Sequence, residues 1–141
     1  MTDETKRLIL DYALRFINSP YYWAGSGPLF DCSGFTLELL KAAGLVSNKT
    51  DMTAHHLYTR TLSGGVTTPK AHALAFYGKG NIATHVGYCI SDTHIVEAAG
   101  GGVLTTTVEA AIKQKAYIRI RPVFYRKDFL AIHVPCETHF A

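Results

Sequence analysis

The order of hydrophobic patterns along the chain is the feature that most constrains its fold. Apolar residues first recur at helical spacing, which predicts an amphipathic helix over 3–18 and a second helix from about Cys32 to Ala43. The later pattern predicts strands over 71–77, 85–90, 94–98 and 117–121. Helices followed by strands are typical of an α+β domain, in which N-terminal helices pack on a mostly antiparallel sheet. We therefore expect residues 1–141 to form one such domain.

The secondary structure of the shorter segments is predicted from weaker sequence patterns. Asp51 is a candidate N-cap for a third helix that continues through Tyr58, and residues 108–115 have the pattern of another short helix. The glycine run at 100–102 breaks the chain before a further short strand predicted over 103–107. The C-terminal segment is rich in aromatic residues and histidine, and it shows neither the helical period nor the two-residue period of a strand clearly.

The composition excludes several classes of protein. Hydrophobic residues make up 48% of the chain and charged residues 18%, with a net charge of +3, so the chain is neither disordered nor polyionic. No basic run or basic–aromatic alternation indicates a nucleic-acid surface. Three cysteines without paired spacing argue against a disulfide scaffold. No stretch approaches the ~18 apolar residues that a membrane-spanning helix needs.

The first residues bear on where the protein is made. Residues 1–7 are charged and lead directly into the first predicted helix, without the apolar core of a signal peptide. We expect cytoplasmic synthesis. If the protein acts outside the cell, another component must deliver it.

A cysteine and a histidine occupy positions suited to nucleophilic chemistry. Cys32 stands at the predicted start of the second helix, where free backbone N–H groups and the helix dipole favour thiolate over thiol. His85 lies on a predicted strand about fifty residues later. Its imidazole could accept the thiol proton and return it to a leaving group. A thiol and a histidine base are the minimum set of side chains for catalysis by a cysteine nucleophile.

Three segments together resemble the NlpC family of papain-like cell-wall cysteine peptidases: Pro20–Gly25, Asp31–Phe35 and His85–Gly87. The resemblance extends from the first helix to about Val103. It implies a papain-like α+β fold, with the nucleophile helix against a five- or six-stranded sheet. It also implies hydrolysis of peptidoglycan stem peptides, often between D-γ-glutamate and the following diamino acid. This chemistry needs no cofactor and no metal.

The resemblance implies roles for three catalytic residues. The family's nucleophile falls on Cys32 and its base on His85, and the third polar residue, which orients the imidazole, falls on Glu97. The family usually has His, Asn or Gln there, so Glu97 is a departure, although a carboxylate orients the histidine in other triads. His94 is the alternative. Because side chains alternate along a strand, His94 and Glu97 point to opposite faces, and only one can reach His85.

The resemblance also implies three residues that bind substrate. Tyr21 is expected to turn its hydroxyl toward the thiol, and Asp31 and Ser33 to contact the free amine and polar groups of the stem peptide. The simpler alternatives are packing for Tyr21 and helix capping for Asp31 and Ser33. The backbone N–H of Cys32 is a natural donor to an oxyanion.

Residues 97–102 and 118–122 resemble the phage- and prophage-associated branch of the family. This predicts a lysis enzyme or a tail-borne wall opener, with the phage tail or the lysis machinery as partner. Two other interpretations stay open. One is a catalytically idle tail- or wall-binding module with the same fold, and the other is a papain-like hydrolase or acyltransferase that acts on another amide or ester.

The remaining cysteines and histidines are expected to be structural. Cys89 has no base among its neighbours, which favours packing. His133, Cys136 and His139 have a ligand-like three-residue spacing, but Pro135 interrupts them and no fourth ligand is near in sequence. We therefore expect no metal site there.

Overall fold

A computed structural model describes all residues, 1–141, and shows four helices packed on one face of a six-stranded sheet. The helices are α1 (Asp3–Leu14), α2 (Cys32–Ala42), α3 (Ala54–Arg60) and α4 (Val108–Gln114). The strands are β1 (Gly65–Val66), β2 (Leu74–Lys79), β3 (Ile82–Cys89), β4 (His94–Ala99), β5 (Tyr117–Pro122) and β6 (Phe129–His133). Two 3₁₀ turns are Leu62–Gly64 and Glu137–Phe140. The expected α+β class is confirmed.

The strand order in the sheet is β1-β6-β2-β3-β4-β5, and every neighbouring pair is antiparallel. Strands β2 to β5 are consecutive in the chain and adjacent in space, as short connections favour. The last strand, β6, inserts between β1 and β2. The C-terminal segment, in which the sequence shows no clear period, therefore lies inside the sheet.

Alternation along the strands divides the core into two clusters. Val86, Tyr88, Val96 and Ala98 face the helices and belong to the larger cluster. From His85 onward, the odd-numbered positions of β3 and those of β4 face the other way, toward a smaller cluster that contains Cys89 and Ile95 together with Tyr77, Val123 and Ile132. Ala83 lies before a register shift in the β2–β3 pair and belongs to the larger cluster. Because the side-chain period of a strand is two, a residue's parity decides which face of the sheet it joins.

Threonine or aspartate caps the N-terminus of each α-helix. Thr2, Asp31, Thr53 and Thr107 each accept the backbone N–H three residues on, which satisfies one of the free donors of the first turn. The expectation that Asp51 caps α3 is wrong, since Thr53 Oγ1 accepts from the N–H of His56 at 3.1 Å. No helix combines the length and the apolarity that crossing a membrane requires.

Other boundaries differ from the sequence-based expectation: β2 begins at Leu74 rather than at 71, and β3 begins at Ile82 rather than at 85. Helix α1 ends at Leu14 rather than near residue 18, and Asn18 adopts a left-handed backbone with φ of 73°. The segment 103–107 is a loop, in which the Leu104 side chain is 79% exposed. Hydrophobic residues there suggested order, but the side chain of Leu104 has nothing to pack against.

Candidate active site

Local sequence sets the start of α2 and places Cys32 at its first position. Asp31 Oδ1 accepts from the backbone N–H of Gly34 at 2.7 Å, so Asp31 is the N-cap. The loop before the helix packs on this turn, and Asp31 N–H donates to the Gly25 carbonyl at 3.2 Å. A Cβ on Gly34 would lie 2.0 Å from that carbonyl oxygen, which explains the glycine. The half-buried thiol therefore sits on a rigid support.

His85 and Glu97 form a buried pair next to this thiol. His85 Nε2 lies 2.6 Å from Glu97 Oε1, and the two residues are 6% and 1% exposed. Since Nε2 is engaged by the carboxylate, Nδ1 is the ring nitrogen left for the thiol. The structure thus brings together the three residues that the resemblance nominated as catalytic.

Electrostatics favour a protonated His85. Burial by itself lowers the pKa of His85, because it disfavours the charged ring. Hydrogen bonding and charge attraction with Cys32 and with Glu97 outweigh this effect and raise the pKa to about 9. At neutral pH the ring is therefore an imidazolium, which is the form that pairs with a thiolate.

Glu97 is held by two donors besides His85. The Tyr125 hydroxyl donates to Glu97 Oε2 at 2.7 Å, and Arg119 Nε donates to the same oxygen at 3.3 Å. Burial raises the pKa of the Glu97 carboxyl, but the hydrogen bonds from His85 and Tyr125 and the charges of His85 and Arg119 hold it below its usual value. A buried carboxylate needs such partners to stay ionised.

The three residues come from two sides of the sheet. Cys32 packs against the helix-facing cluster. Glu97 lies between Val96 and Ala98, which face the helices, so it points to the opposite face. His85 contacts both of them and joins the helix layer to the far face of the sheet.

The structure directs His94 away from this site. His94 starts β4 opposite Pro122, and its Nδ1 lies 2.8 Å from the Thr93 hydroxyl. Glu97, three residues later, therefore holds the position next to His85.

A cleft of about 320 Å³ opens beside the thiol. Its lining includes the predicted substrate-binding residues Tyr21, Asp31 and Ser33 together with Cys32. Its other lining residues are Trp23, Ala24, Thr53, Ala54, His55, Ala83 and Thr84. Burial raises the pKa of Tyr21, and the charges of Cys32 and Asp31 add to the rise, so the hydroxyl keeps its proton.

Close packing holds the Tyr21 ring in place. A Cβ on Gly101 would approach the ring to 2.2 Å, so only glycine fits there. The neighbouring Gly102 has open space around it. Of the glycines after β4, Gly101 therefore packs directly against the Tyr21 ring.

The cleft continues into a second concavity of about 270 Å³. Asp31 and Ser33 line both, and the second adds Asp51 and His56. Burial raises the pKa of Asp31, the nearby charge of Asp51 adds to the rise, and the bonds from Gly34 and Ser33 oppose it. Two carboxyl groups and no Lys or Arg line this end, which suits a cationic group.

Sequence reasoning missed three residues near the site. Arg119 and Tyr125 bind Glu97, and His55 lines the cleft with its Nδ1 accepting from the Ala83 N–H at 3.2 Å. The alternating pattern 117–121 could have placed Arg119 on one face of its strand, but Tyr125 follows the strand in a turn and carries no periodic signal.

Cys89, His133 and Cys136 do not line this site. Cys89 is buried, and burial raises its pKa to about 12. His133 is buried against the Thr61 hydroxyl, whereas Cys136 is exposed. No group of three or more His, Cys, Asp or Glu side chains is arranged to hold a metal ion.

The chain is similar to part of several curated proteins that are named as probable endopeptidases. It is 28% identical to "Probable endopeptidase p60" of Listeria innocua over 100 residues, and 30% identical to the protein of that name from Listeria seeligeri over 96 residues. These alignments cover 70% and 67% of this chain but only 21% and 18% of the relatives. The chain therefore spans about a fifth of the proteins it matches.

Solved structures share the fold at low identity. A lipoprotein-like NLP/P60 family protein of Staphylococcus aureus superposes with a TM-score of 0.70 at 22% identity, covering 96% of this chain and 43% of the other. RipD of Mycobacterium tuberculosis, described as a non-catalytic NlpC/p60 domain protein, superposes with a TM-score of 0.65 at 16% identity, covering 94% and 98%. Residues 18–122, well over half of the chain, match the NlpC/P60 family, and the protein belongs to that family.

Proposed function

We propose that the protein is a cysteine endopeptidase that hydrolyses peptidoglycan stem peptides, at the bond between D-γ-glutamate and the diamino acid. The observation that carries the proposal is the buried hydrogen bond between His85 and Glu97, beside a thiol at a helix start. Family membership and the names of the Listeria relatives support the same chemistry.

The proposed reaction begins at Cys32. Its thiolate attacks the scissile carbonyl carbon, and the electron pair of the C=O bond moves onto oxygen. The backbone N–H of Cys32 is a free donor at the helix start, suited to that oxyanion. Tyr21, whose hydroxyl keeps its proton, is a second donor at the cleft.

His85 then acts as acid and later as base. The imidazolium gives its proton to the leaving amine as the C–N bond breaks, which leaves an acyl-enzyme on Cys32. The neutral ring next takes a proton from water, whose oxygen attacks the thioester. Release of the acid restores the thiolate and imidazolium. Glu97 keeps the ring oriented and stabilises its charge throughout.

The two adjoining cavities support recognition of a free amine on the acyl side. Asp31 lines both cavities, with Ser33 beside it and Asp51 further from the thiol. An ammonium group there would meet carboxylates and no Lys or Arg side chain. A stem peptide with an uncapped amine fits this charge pattern.

Mass spectrometry of wall fragments tests the proposal. Purified peptidoglycan is incubated with the wild-type protein and with Cys32→Ala, and the new termini are identified. Fragments that end in D-glutamate and others that begin at the diamino acid are expected only with the wild type. Cleavage by Cys32→Ala, or no cleavage by a wild type with a reactive thiol, contradicts the proposal.

A wall-binding module without activity is the second candidate, because the non-catalytic RipD domain has the same fold. The two candidates differ in what they predict for the thiol and for the wall. An idle module that retains wall affinity would bind peptidoglycan in a sedimentation assay and release no fragments. It would also show no rapid alkylation of Cys32 at acidic pH.

We also propose that the protein reaches the wall through a phage or prophage, as a lysis enzyme or as part of a tail. The support is the resemblance of residues 97–102 and 118–122 to that branch of the family. Proteomic analysis of purified virions and of lysates after prophage induction tests it. Expression without any prophage induction, and absence from virions, would contradict it.

A further inference from the structure

The side chains of Arg119 and Tyr125 donate hydrogen bonds to Glu97 but do not line the cleft beside Cys32. We propose that Arg119 and Tyr125 are positioning residues, which keep the Glu97 carboxylate ionised and aimed at His85 and thereby set the pH range in which the Cys32 thiol reacts. This inference rests on the proposed roles of Cys32, His85 and Glu97.

The two oxygens of the Glu97 carboxylate have different hydrogen-bond partners. Oε2 accepts from the Tyr125 hydroxyl at 2.7 Å and from Arg119 Nε at 3.3 Å, whereas Oε1 lies 2.6 Å from His85 Nε2. The Tyr125 hydroxyl also lies 3.0 Å from Oε1. One oxygen is thus anchored, and the other is presented to the imidazole. Without the anchors, a carboxyl group that is 1% exposed would favour its neutral form.

Strand register places Arg119 at this carboxylate. Glu97 and Arg119 are direct cross-strand partners in the β4–β5 pair, so their side chains leave the same face of the sheet. The adjacent Ile118 faces the helix-side cluster. The Arg119 side chain is only a quarter exposed, which limits how far solvent weakens its pairing with Glu97.

The turn that carries Tyr125 is held by contacts within the protein itself. The Tyr77 hydroxyl donates to the Val123 carbonyl at 2.6 Å, and the Arg126 guanidinium lies 5.3 Å from the centre of the Tyr77 ring. Arg126 in turn makes two 2.8 Å hydrogen bonds to Asp128. Tyr125 lies just beyond residues 18–122, the range that matches the family.

Several titratable groups act on the His85–Glu97 pair from the surrounding elements. Cys32 comes from α2, Tyr77 from β2 and Arg119 from β5, and the turn before β6 contributes Tyr125 and Asp128. Arg126 is paired with Asp128, which leaves Arg119 as the cation in contact with Glu97.

Loss of the hydrogen bond from either Arg119 or Tyr125 is expected to raise the pKa of the Glu97 carboxyl. A Glu97 carboxyl with fewer donors takes up a proton more readily and then no longer stabilises the imidazolium. The thiolate that pairs with the imidazolium becomes less stable as well. A higher pH is then needed to make the thiol reactive.

The test is the pH dependence of Cys32 alkylation by iodoacetamide, measured without wall substrate in a Cys136→Ser background. Tyr125→Phe and Arg119→Gln are each expected to move the midpoint of the reactivity curve upward by about one pH unit, as a lost hydrogen bond to a charged group implies. Tyr117→Phe and Arg121→Gln are matched controls on the same strand, β5. Neither control residue contacts Glu97, and both should show the wild-type curve.

A double-mutant comparison separates positioning from general structural damage. If the two residues act through Glu97, neither substitution shifts the curve further in a Glu97→Gln background. A wild-type curve for both single variants, or shifts that persist in full with Glu97→Gln, overturns the inference. Thermal unfolding checks that each variant is folded, and Arg119→Lys provides a milder variant that retains the charge.

This outcome is independent of wall cleavage. A wild type that leaves peptidoglycan intact while its variants show the shifted thiol curves would overturn the proposed function alone. A wild type that cleaves peptidoglycan while its variants keep the unshifted curve would overturn the positioning role alone.

Discussion

His85 Nε2 and Glu97 Oε1 lie 2.6 Å apart, and both side chains are almost fully buried. The pair forms across neighbouring antiparallel strands, since β3 and β4 pair Tyr88 with Val96. Continuing that register puts Gly87 opposite Glu97, and His85 is then a diagonal neighbour on the same face. The contact therefore depends on one particular register of the β3–β4 hairpin.

The alkaline limit of activity should follow His85. Its pKa is raised to about 9, so the ring is protonated below that pH and loses its proton as the pH rises through it. We expect kcat/KM to fall above pH 9, because a neutral ring cannot protonate the leaving amine. Initial rates on a soluble stem peptide from pH 5 to 11 measure this limb. A limb near the ordinary histidine value of ~6.5 would contradict the assignment.

Glu97 substitutions should separate orientation from packing. We expect Glu97→Ala to lower kcat about 10- to 10³-fold, less than the ~10⁴ seen when the orienting residue of a serine triad is lost. Glu97→Gln should retain more activity, since its amide oxygen can still accept from the imidazole, but its alkaline limb should move to lower pH.

His94→Ala is the matched control on the same strand, because His94 bonds to Thr93 and not to His85. It should stay near wild type. An inactive His94→Ala beside an active Glu97→Ala would mean that the β4 register differs by an odd number of residues.

The thiols should differ in reactivity. Cys89 is buried and its pKa is raised to about 12, so it should not react with iodoacetamide in the folded protein. In a Cys136→Ser background at pH 6, peptide mapping should find the label on Cys32. Cys32→Ala should abolish both labelling and hydrolysis and leave the circular dichroism spectrum unchanged. Labelling of Cys89 at the same rate would refute the assignment.

Asp31→Asn tests recognition of the amine separately from helix capping. Asparagine still caps the helix, so the fold should persist, whereas the lost charge should cost about 1.5–3 kcal/mol in kcat/KM on free-amine substrates. Acetylated substrates should be cleaved poorly by both proteins. If the wild type cleaves acetylated and free-amine peptides equally well, Asp31 does not recognise the amine.

The glycine run offers a test of Tyr21. Gly101→Ala puts a methyl group into the Tyr21 ring and should displace it, with a stability loss of about 1–3 kcal/mol and reduced kcat/KM. Gly102→Ala meets no atom within 4 Å and should behave as wild type in both measurements. Thermal unfolding and initial rates on the stem peptide distinguish the two variants. Equal effects of both would argue against a role for Tyr21 packing.

Local sequence determined the nucleophile end of the site. Asp31 caps α2 by accepting from the N–H of Gly34, and Cys32 follows at the first helical position, all within four residues. Interactions between such close neighbours depend little on the rest of the chain, and for this reason the motif predicted the helix start. The two-residue period of β4 is equally local, and by itself it put His94 and Glu97 on opposite faces of the sheet.

Tertiary structure decided which of those two faces of β4 contacts His85. The β3–β4 register brings Glu97 rather than His94 to His85, and the β4–β5 register brings Arg119 to Glu97. Tyr125 reaches the same carboxylate from a turn 28 residues away, and β6 inserts between β1 and β2. Such contacts join segments distant in the chain, and their geometry comes from the packed sheet as a whole. No local pattern encodes them, because periodicity and capping report only a residue's nearest neighbours.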